Sequence, residues 1–214
     1  MLVIECDQNS DEWERARLGL PTASDFSKIL TGTGKPSAQI EDYAAYLAAE
    51  TYHGAPIGGF KGNKHTERGH ELEDEAADMY AFMRDYECEK VGFCIEDKGH
   101  APAGCSPDRF VKIPGRGQKP GLLEVKCLGA AHHVLAMAYF RKNGRPDPAY
   151  VAQCQGQMLI TGRTWVDLYF YHPDLPELAV RINRDVSFHV LLMAQIDKVA
   201  ARRDELLCMI REAA

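Results

Sequence analysis

The stretch GLLEVKC at 121–127 sets a glutamate and a lysine two residues apart, Glu124 and Lys126. Read as a strand, its side chains alternate, so Leu122, Glu124 and Lys126 share one face and Leu123, Val125 and Cys127 the other. The second set is apolar and belongs against a core. The first holds a carboxylate and an ammonium about 6.6 Å apart along the strand. Alone, that spacing is more often a solvated ion pair on an exposed strand. Sixteen residues before Glu124, CSPDRFV places Asp108 directly after Pro107, a residue that resists central pairing. The intervening IPGRGQKPG is dense in glycine and proline and predicts a hairpin that brings Asp108 to Glu124. Two carboxylates on a stiff scaffold suit magnesium, which keeps waters and needs few protein oxygens. A metal-bound water then serves as nucleophile, and Lys126 orients or deprotonates it and stabilises charge on a phosphate.

A further acid comes from a helical stretch at 67–84. Glu73 shares its face with Ala76, Ala77 and Tyr80, whereas Glu71 shares one with Asp74, Glu75 and Asp78. Glu73 therefore looks inward, toward a metal or a cation, and Arg68 or Arg84 would satisfy it equally well. In YVAQCQGQMLI, Gln153 and Gln157 are four apart on one helix face. They hold a water or phosphate oxygen, or they form an ordinary polar stripe.

These residues need elements to position them. Short helices are predicted at 10–17, capped by Ser10, and from Thr22, whose hydroxyl can cap with Asp25 three residues on. Longer ones follow at 38–52 and 67–84. Strands are predicted at 90–95, 104–112, 121–127, 164–171 and 178–183, with helices at 130–142 and 148–161 between them. Residues 186–212 read as a long amphipathic helix with Val190, Met193, Ile196, Val199, Leu206 and Ile210 as its apolar positions. Helices around a mid-chain cluster of strands predict an α/β fold with one central mixed sheet. Nothing repeats, and the Gly/Pro-rich stretches 32–37 and 53–64 read as loops within one domain spanning 1–214.

The chain has no apolar run of the roughly 20 residues a bilayer requires. Its first residues carry acids where an export signal would be basic and then apolar. A soluble, cytoplasmic protein is expected. Seven cysteines, none in a CxxC pair, fit reduced thiols and argue against zinc or iron–sulfur sites. Cys105, Cys127 and Cys154 read as small buried hydrophobes. The formal charge is −6, yet residues 109–146 carry a local balance of +7 and residues 67–97 one of −8. A cationic segment can meet phosphates even in an acidic protein, and both runs can equally be solvated surface.

Taken in order, these blocks resemble the YqaJ-like alkaline exonuclease family typified by bacteriophage lambda exonuclease, within the PD-(D/E)xK nucleases. DEWERARLGLPTASDFSKIL is similar to its Trp–Arg–Leu–Gly–Thr–Ala–Ser signature, through Trp13, Arg17, Leu18, Gly19, Thr22, Ala23 and Ser24. RGHELEDEAADMY places Glu73 at its acidic position, and CSPDRF with LLEVKC supply Asp108 and Glu–x–Lys. AYVAQCQGQM puts Gln153 at the catalytic-site glutamine. The resemblance implies a restriction-endonuclease-like fold with a long C-terminal helix. It implies Mg²⁺-dependent (Mn²⁺ as substitute), processive 5′→3′ digestion of one strand at double-stranded DNA ends. It also implies a homotrimeric ring and a single-strand annealing recombinase as partner. Asp108 and Glu124 would be metal ligands with the Val125 carbonyl, Glu73 would serve a second metal, and Lys126 and Gln153 would complete the catalytic set. Arg17 and Ser24 match positions near the 5′-phosphate. Arg17 could instead pair with Asp11 or Glu14 as a surface ion pair. His132 stands where the lambda member has an arginine, and would contact DNA phosphate at full charge only when protonated.

Two rival readings stay open. One is another nuclease of the class, an endonuclease or junction resolvase. The other is a non-catalytic DNA-binding recombination scaffold, which would have no need of two converging acids.

Overall fold

The computed structural model describes residues 1–57, 64–115, 117 and 119–213, and of residues 64–71 only the helical backbone. The expected 53–64 loop, Arg116, and the side chains of Arg68 and Glu71 fall wholly or partly outside that range. The chain opens with β1 (Leu2–Ile4), α1 (Asp11–Arg17), a 3₁₀ helix (Ala23–Lys28), α2 (Ile40–His53) and α3 (Lys64–Arg84). The strands β2 (Glu87–Glu89), β3 (Phe93–Glu96), β4 (Ala103–Cys105), β5 (Arg109–Lys112) and β6 (Gly121–Lys126) follow. Then come α4 (Ala130–Asn143), α5 (Pro148–Thr161), β7 (Trp165–Phe170), β8 (Leu178–Asn183) and α6 (Val186–Ala213).

The central sheet runs β2-β5-β6-β7-β8 and is mixed, with β6 and β7 parallel and the other pairs antiparallel. A parallel pair needs a long crossover, supplied here by α4 and α5. β5 and β6 form the expected hairpin, with Arg109 opposite Leu123. The alternation within β6 also holds. Leu123 and Val125 pack with Ala76, Ala77 and Tyr80 of α3, while Leu122 packs with Cys154 and Met158 of α5 on the other face. Cys105 and Cys154 are buried as read, and Cys127 is half-buried.

A second, three-stranded sheet, β1-β3-β4, was not anticipated. The run read as one strand over 104–112 is split: β4 pairs with β3, and β5 with β2 and β6. Pro107 lies at the break, where the lack of an N–H ends a ladder without cost. Likewise the 90–95 run is strand only from Phe93.

Ser10 caps α1 by accepting from the Trp13 N–H, and Asp147 caps α5 ahead of Pro148 at its first position. The Thr22 hydroxyl does not cap the 3₁₀ helix, because it is engaged by the Arg17 guanidinium and the Ser24 hydroxyl. α6 packs along α2 and buries Phe188, Leu192, Ile196, Val199 and Leu207. Val190, expected on that face, is 57% exposed, because the buried stripe passes through 188 and 192 instead. Among the described residues no helix is long and apolar enough to cross a membrane.

Candidate active site

Where the two sheets meet α3 and α5, a cleft of about 350 Å³ opens. Its walls include Arg17, Ser24, Glu73, Asp108, Glu124, Val125, Lys126 and Gln153. Every site residue read from the sequence is therefore in one place except His132. That side chain is exposed in the first turn of α4 and lines a separate groove beside the cleft.

The hairpin sets Asp108, one residue before β5, across from β6. Its Oδ2 accepts the Val125 N–H at 2.5 Å, which anchors the carboxylate to the strand that carries Glu124. Glu124 is 3% exposed, and burying a carboxylate is costly unless donors surround it. Three do. Lys126 Nζ and Gln153 Nε2 each donate to Oε1 at 2.6 Å, and Gln157 Nε2 donates to Oε2 at 2.5 Å. The glutamine pair is thus no surface stripe. Gln157, which the family resemblance does not single out, is 1% exposed and holds Glu124 as closely as Gln153 does.

Glu73 sits where its helix face predicted, with Ala76, Ala77 and Tyr80 buried beyond it. Arg109 meets it at 3.5 Å, while Arg84 is engaged by Glu177 and the Arg68 side chain lies outside the described residues. Arg109 is 5% exposed and also donates to Asp74 and to the Asp108 carbonyl, the latter at 2.6 Å. One buried guanidinium therefore fastens α3 to the start of β5. Tyr80 extends the same attachment by donating to Asp167 of β7, which Arg181 grips with two bonds of 2.7 Å.

The electrostatics follow from crowding. Burial pushes the Asp108 carboxyl well above the ordinary carboxylate range, and the charges of Glu124 and Glu73 push it further. Lys126 and the Val125 N–H act in the opposite sense and do not offset them. Burial alone would lower the Lys126 ammonium, but Glu124 and then Asp108 outweigh it and hold the proton on. Lys126 is accordingly a fixed positive charge in this arrangement, suited to stabilising a phosphate oxygen more than to taking a proton.

In the same cleft, the Arg17 guanidinium lies 4.1 Å from the centre of the Trp13 ring. It donates to the Thr22 hydroxyl at 3.2 Å, and Thr22 in turn meets Ser24 at 3.3 Å. Among the described residues no carboxylate pairs with Arg17, so the surface ion pair to Asp11 or Glu14 does not form. Trp13 is itself fixed by donating to the Ser106 hydroxyl at 2.6 Å. Ser24 is brought to the cleft because Gly156 of α5 lies flush against Phe26, where a Cβ would come within 2.2 Å of the ring.

Among the described residues, no three acidic, histidine or cysteine side chains form a ready metal cage. An open pair of carboxylates suits a cation that retains waters and takes oxygens from its substrate.

The model of the YqaJ-like viral recombinase domain matches residues 12–164, which contain Arg17, Ser24, Glu73, Asp108, Glu124, Lys126, Gln153 and Gln157 of the cleft. Among solved structures, the chain is similar to an alkaline exonuclease, LHK-Exo, from Laribacter hongkongensis, at 30% identity and a TM-score of 0.79. That match covers 95% of this chain and 98% of that one, and the same protein has been solved in complex with dAMP. A phage-related exonuclease from Haemophilus somnus 129PT shares the fold, with 18% identity, a TM-score of 0.67, and coverage of 91% of this chain and 96% of that one. Among curated proteins none matches.

Proposed function

The chain belongs to the YqaJ-like viral recombinase family, and from that we propose that it is a metal-dependent DNA exonuclease digesting one strand of linear duplex in the 5′→3′ direction. The observation that carries this reading is the cleft itself, which Asp108, Glu124, Lys126 and Arg17 line together.

Magnesium, with manganese as substitute, fits the donor set of hard oxygens from Asp108, Glu124 and the Val125 carbonyl, with Glu73 near enough to serve a second ion. When bound, it supplies a water acidified toward hydroxide as the nucleophile. The remaining work falls to side chains. Gln153 and Gln157 hold the Glu124 carboxylate in one orientation, so its free lone pairs are aimed before substrate arrives. Lys126 puts a fixed ammonium where charge develops on the scissile phosphate. Arg17, held over the Trp13 ring and with guanidinium N–H groups to spare, can grip a terminal phosphate bidentately, aided by the Ser24 hydroxyl. A 5′-monophosphate carries more charge than an internal diester, which favours ends over interior sites. His132 belongs to the neighbouring groove and would meet phosphate only along a longer DNA path.

A homotrimeric ring that encloses duplex would let an acidic protein turn its basic residues inward and stay on one strand for many cuts. A single-strand annealing recombinase would then receive the exposed strand. The test is digestion of linear duplex labelled at either end, with and without Mg²⁺, beside a covalently closed circle. Metal-dependent release from the 5′-labelled end with the circle intact is expected; cutting of the circle would make this an endonuclease.

A further inference from the structure

Two exposed apolar surfaces lie on opposite faces of the central sheet. One is a knob near the end of α3, where Met79, Phe82 and Met83 share a helix face and are 41%, 85% and 57% exposed. A large aromatic this exposed among other apolar side chains is the kind of patch that marks an interaction surface. The other is a groove of about 400 Å³ along α4, walled by Leu135, Tyr139 and Phe140 and backed by Tyr150 and Phe170. Leu135 is 64% exposed, and His133 alone is fully buried in α4.

The two surfaces cannot cover each other within one chain. α3 packs on the sheet face of Leu123 and Val125, and the groove backs onto the face of Leu122. Their rims carry opposite charge. Asp78 and Asp85 flank the knob, while Arg141, Lys142 and Arg145 flank the groove, and all five are exposed. Among the described residues none of the five is in an ion pair. Asp147, the acid in the groove wall, is already committed to capping α5 through the Ala149 N–H. Of the charges in the acidic 67–97 and basic 109–146 segments, these five are the ones at the rims; Arg109, Lys112 and Lys126 are engaged with Asp74, Glu87 and Glu124 elsewhere.

We propose that the α3 knob of one copy seats in the α4 groove of the next, joining chains head to tail. This rests on the ring proposed above and supplies its contact. Two different patches in contact make a heterologous interface, which closes into a ring when the rotation permits. Opposite rims steer the copies into that register and disfavour knob against knob. Phosphates would account for the three cations of the groove, but they have no use for Leu135 or for Phe82.

The experiment measures mass by light scattering for wild type, Phe82→Glu and Leu135→Glu, each checked for folding by thermal melt. Wild type should be oligomeric and each variant monomeric. An equimolar mixture of the two variants should give a two-chain species, since one intact knob and one intact groove remain. A monomeric wild type would remove the ring itself. An oligomeric wild type whose mass survives both substitutions would remove this interface and leave the ring standing. Variants that stay monomeric when mixed would overturn the head-to-tail pairing. Loss of DNA affinity in Leu135→Glu with its mass unchanged would assign the groove to DNA instead.

Discussion

The Val125 N–H donates to Asp108 Oδ2 across the β5–β6 hairpin, so the first acid of the site is held by the backbone between the second acid and the lysine. The spacing of Asp108, Glu124 and Lys126 is thereby set by strand register, and register cannot slip without turning every side chain of β6 to the other face.

Replacement of Asp108 by Asn, Glu124 by Gln or Lys126 by Ala should each lower digestion by two or more orders of magnitude. Circular dichroism and melting should show the variants folded. Mg²⁺ should raise the melting temperature of wild type and fail to do so for the Asp108 and Glu124 variants. A folded variant of either acid with near-wild-type turnover would refute the assignment.

Gln157→Ala should act through Glu124 and not through substrate. Loss of the 2.5 Å bond frees one carboxylate oxygen to rotate, and supports of this type commonly contribute about 10–100-fold in metal affinity or rate. Titration of rate against Mg²⁺ should shift to higher concentration, with KM for DNA unchanged. An altered KM with an unshifted metal curve would mean the side chain touches DNA.

Arg17→Ala should abolish preference for 5′-phosphorylated over 5′-hydroxyl ends, read as the ratio of initial rates on the two substrates. Trp13→Ala should reduce the same ratio by releasing the guanidinium from its stacked position. If the ratio is high in wild type and unchanged in Arg17→Ala, another group holds the phosphate.

His189 gives stability a pH dependence outside the active site. Burial, then the Arg184 charge, pushes its pKa down to about 4 from 6.5, and its Nε2 lies 3.0 Å from Gln155 Oε1. Between those values the unfolded chain binds the proton and the folded one does not. The contribution is therefore complete above about pH 6.5 and is lost as pH falls toward 4, amounting to at most about 3 kcal/mol. Denaturant melts of wild type and His189→Gln should converge as pH is lowered across that window. A constant difference would show that His189 is not the titrating group.

Much of this was legible in the residues because it depends on local periodicity. The alternation of 121–127 fixed which side chains share a face, Ser10 announced its helix, and Ala76, Ala77 and Tyr80 marked the buried side of Glu73. Periodicity names a face, however, and not what covers it. That Arg109 meets Glu73 depended on β5 lying beside α3, so in the sequence it is one cation among eight in a basic segment. Gln157 looked like a polar stripe because the glutamate it faces is 33 residues away. The break at Pro107 was visible as a residue, but its division of one apparent strand between two sheets required the partners β3 and β6. The sequence by itself determined the acids, the lysine and their faces, since strand and helix geometry are set within a few residues. Only the tertiary structure decided the donors that hold them, because hydrogen-bond and charge partners are chosen by contacts between distant segments.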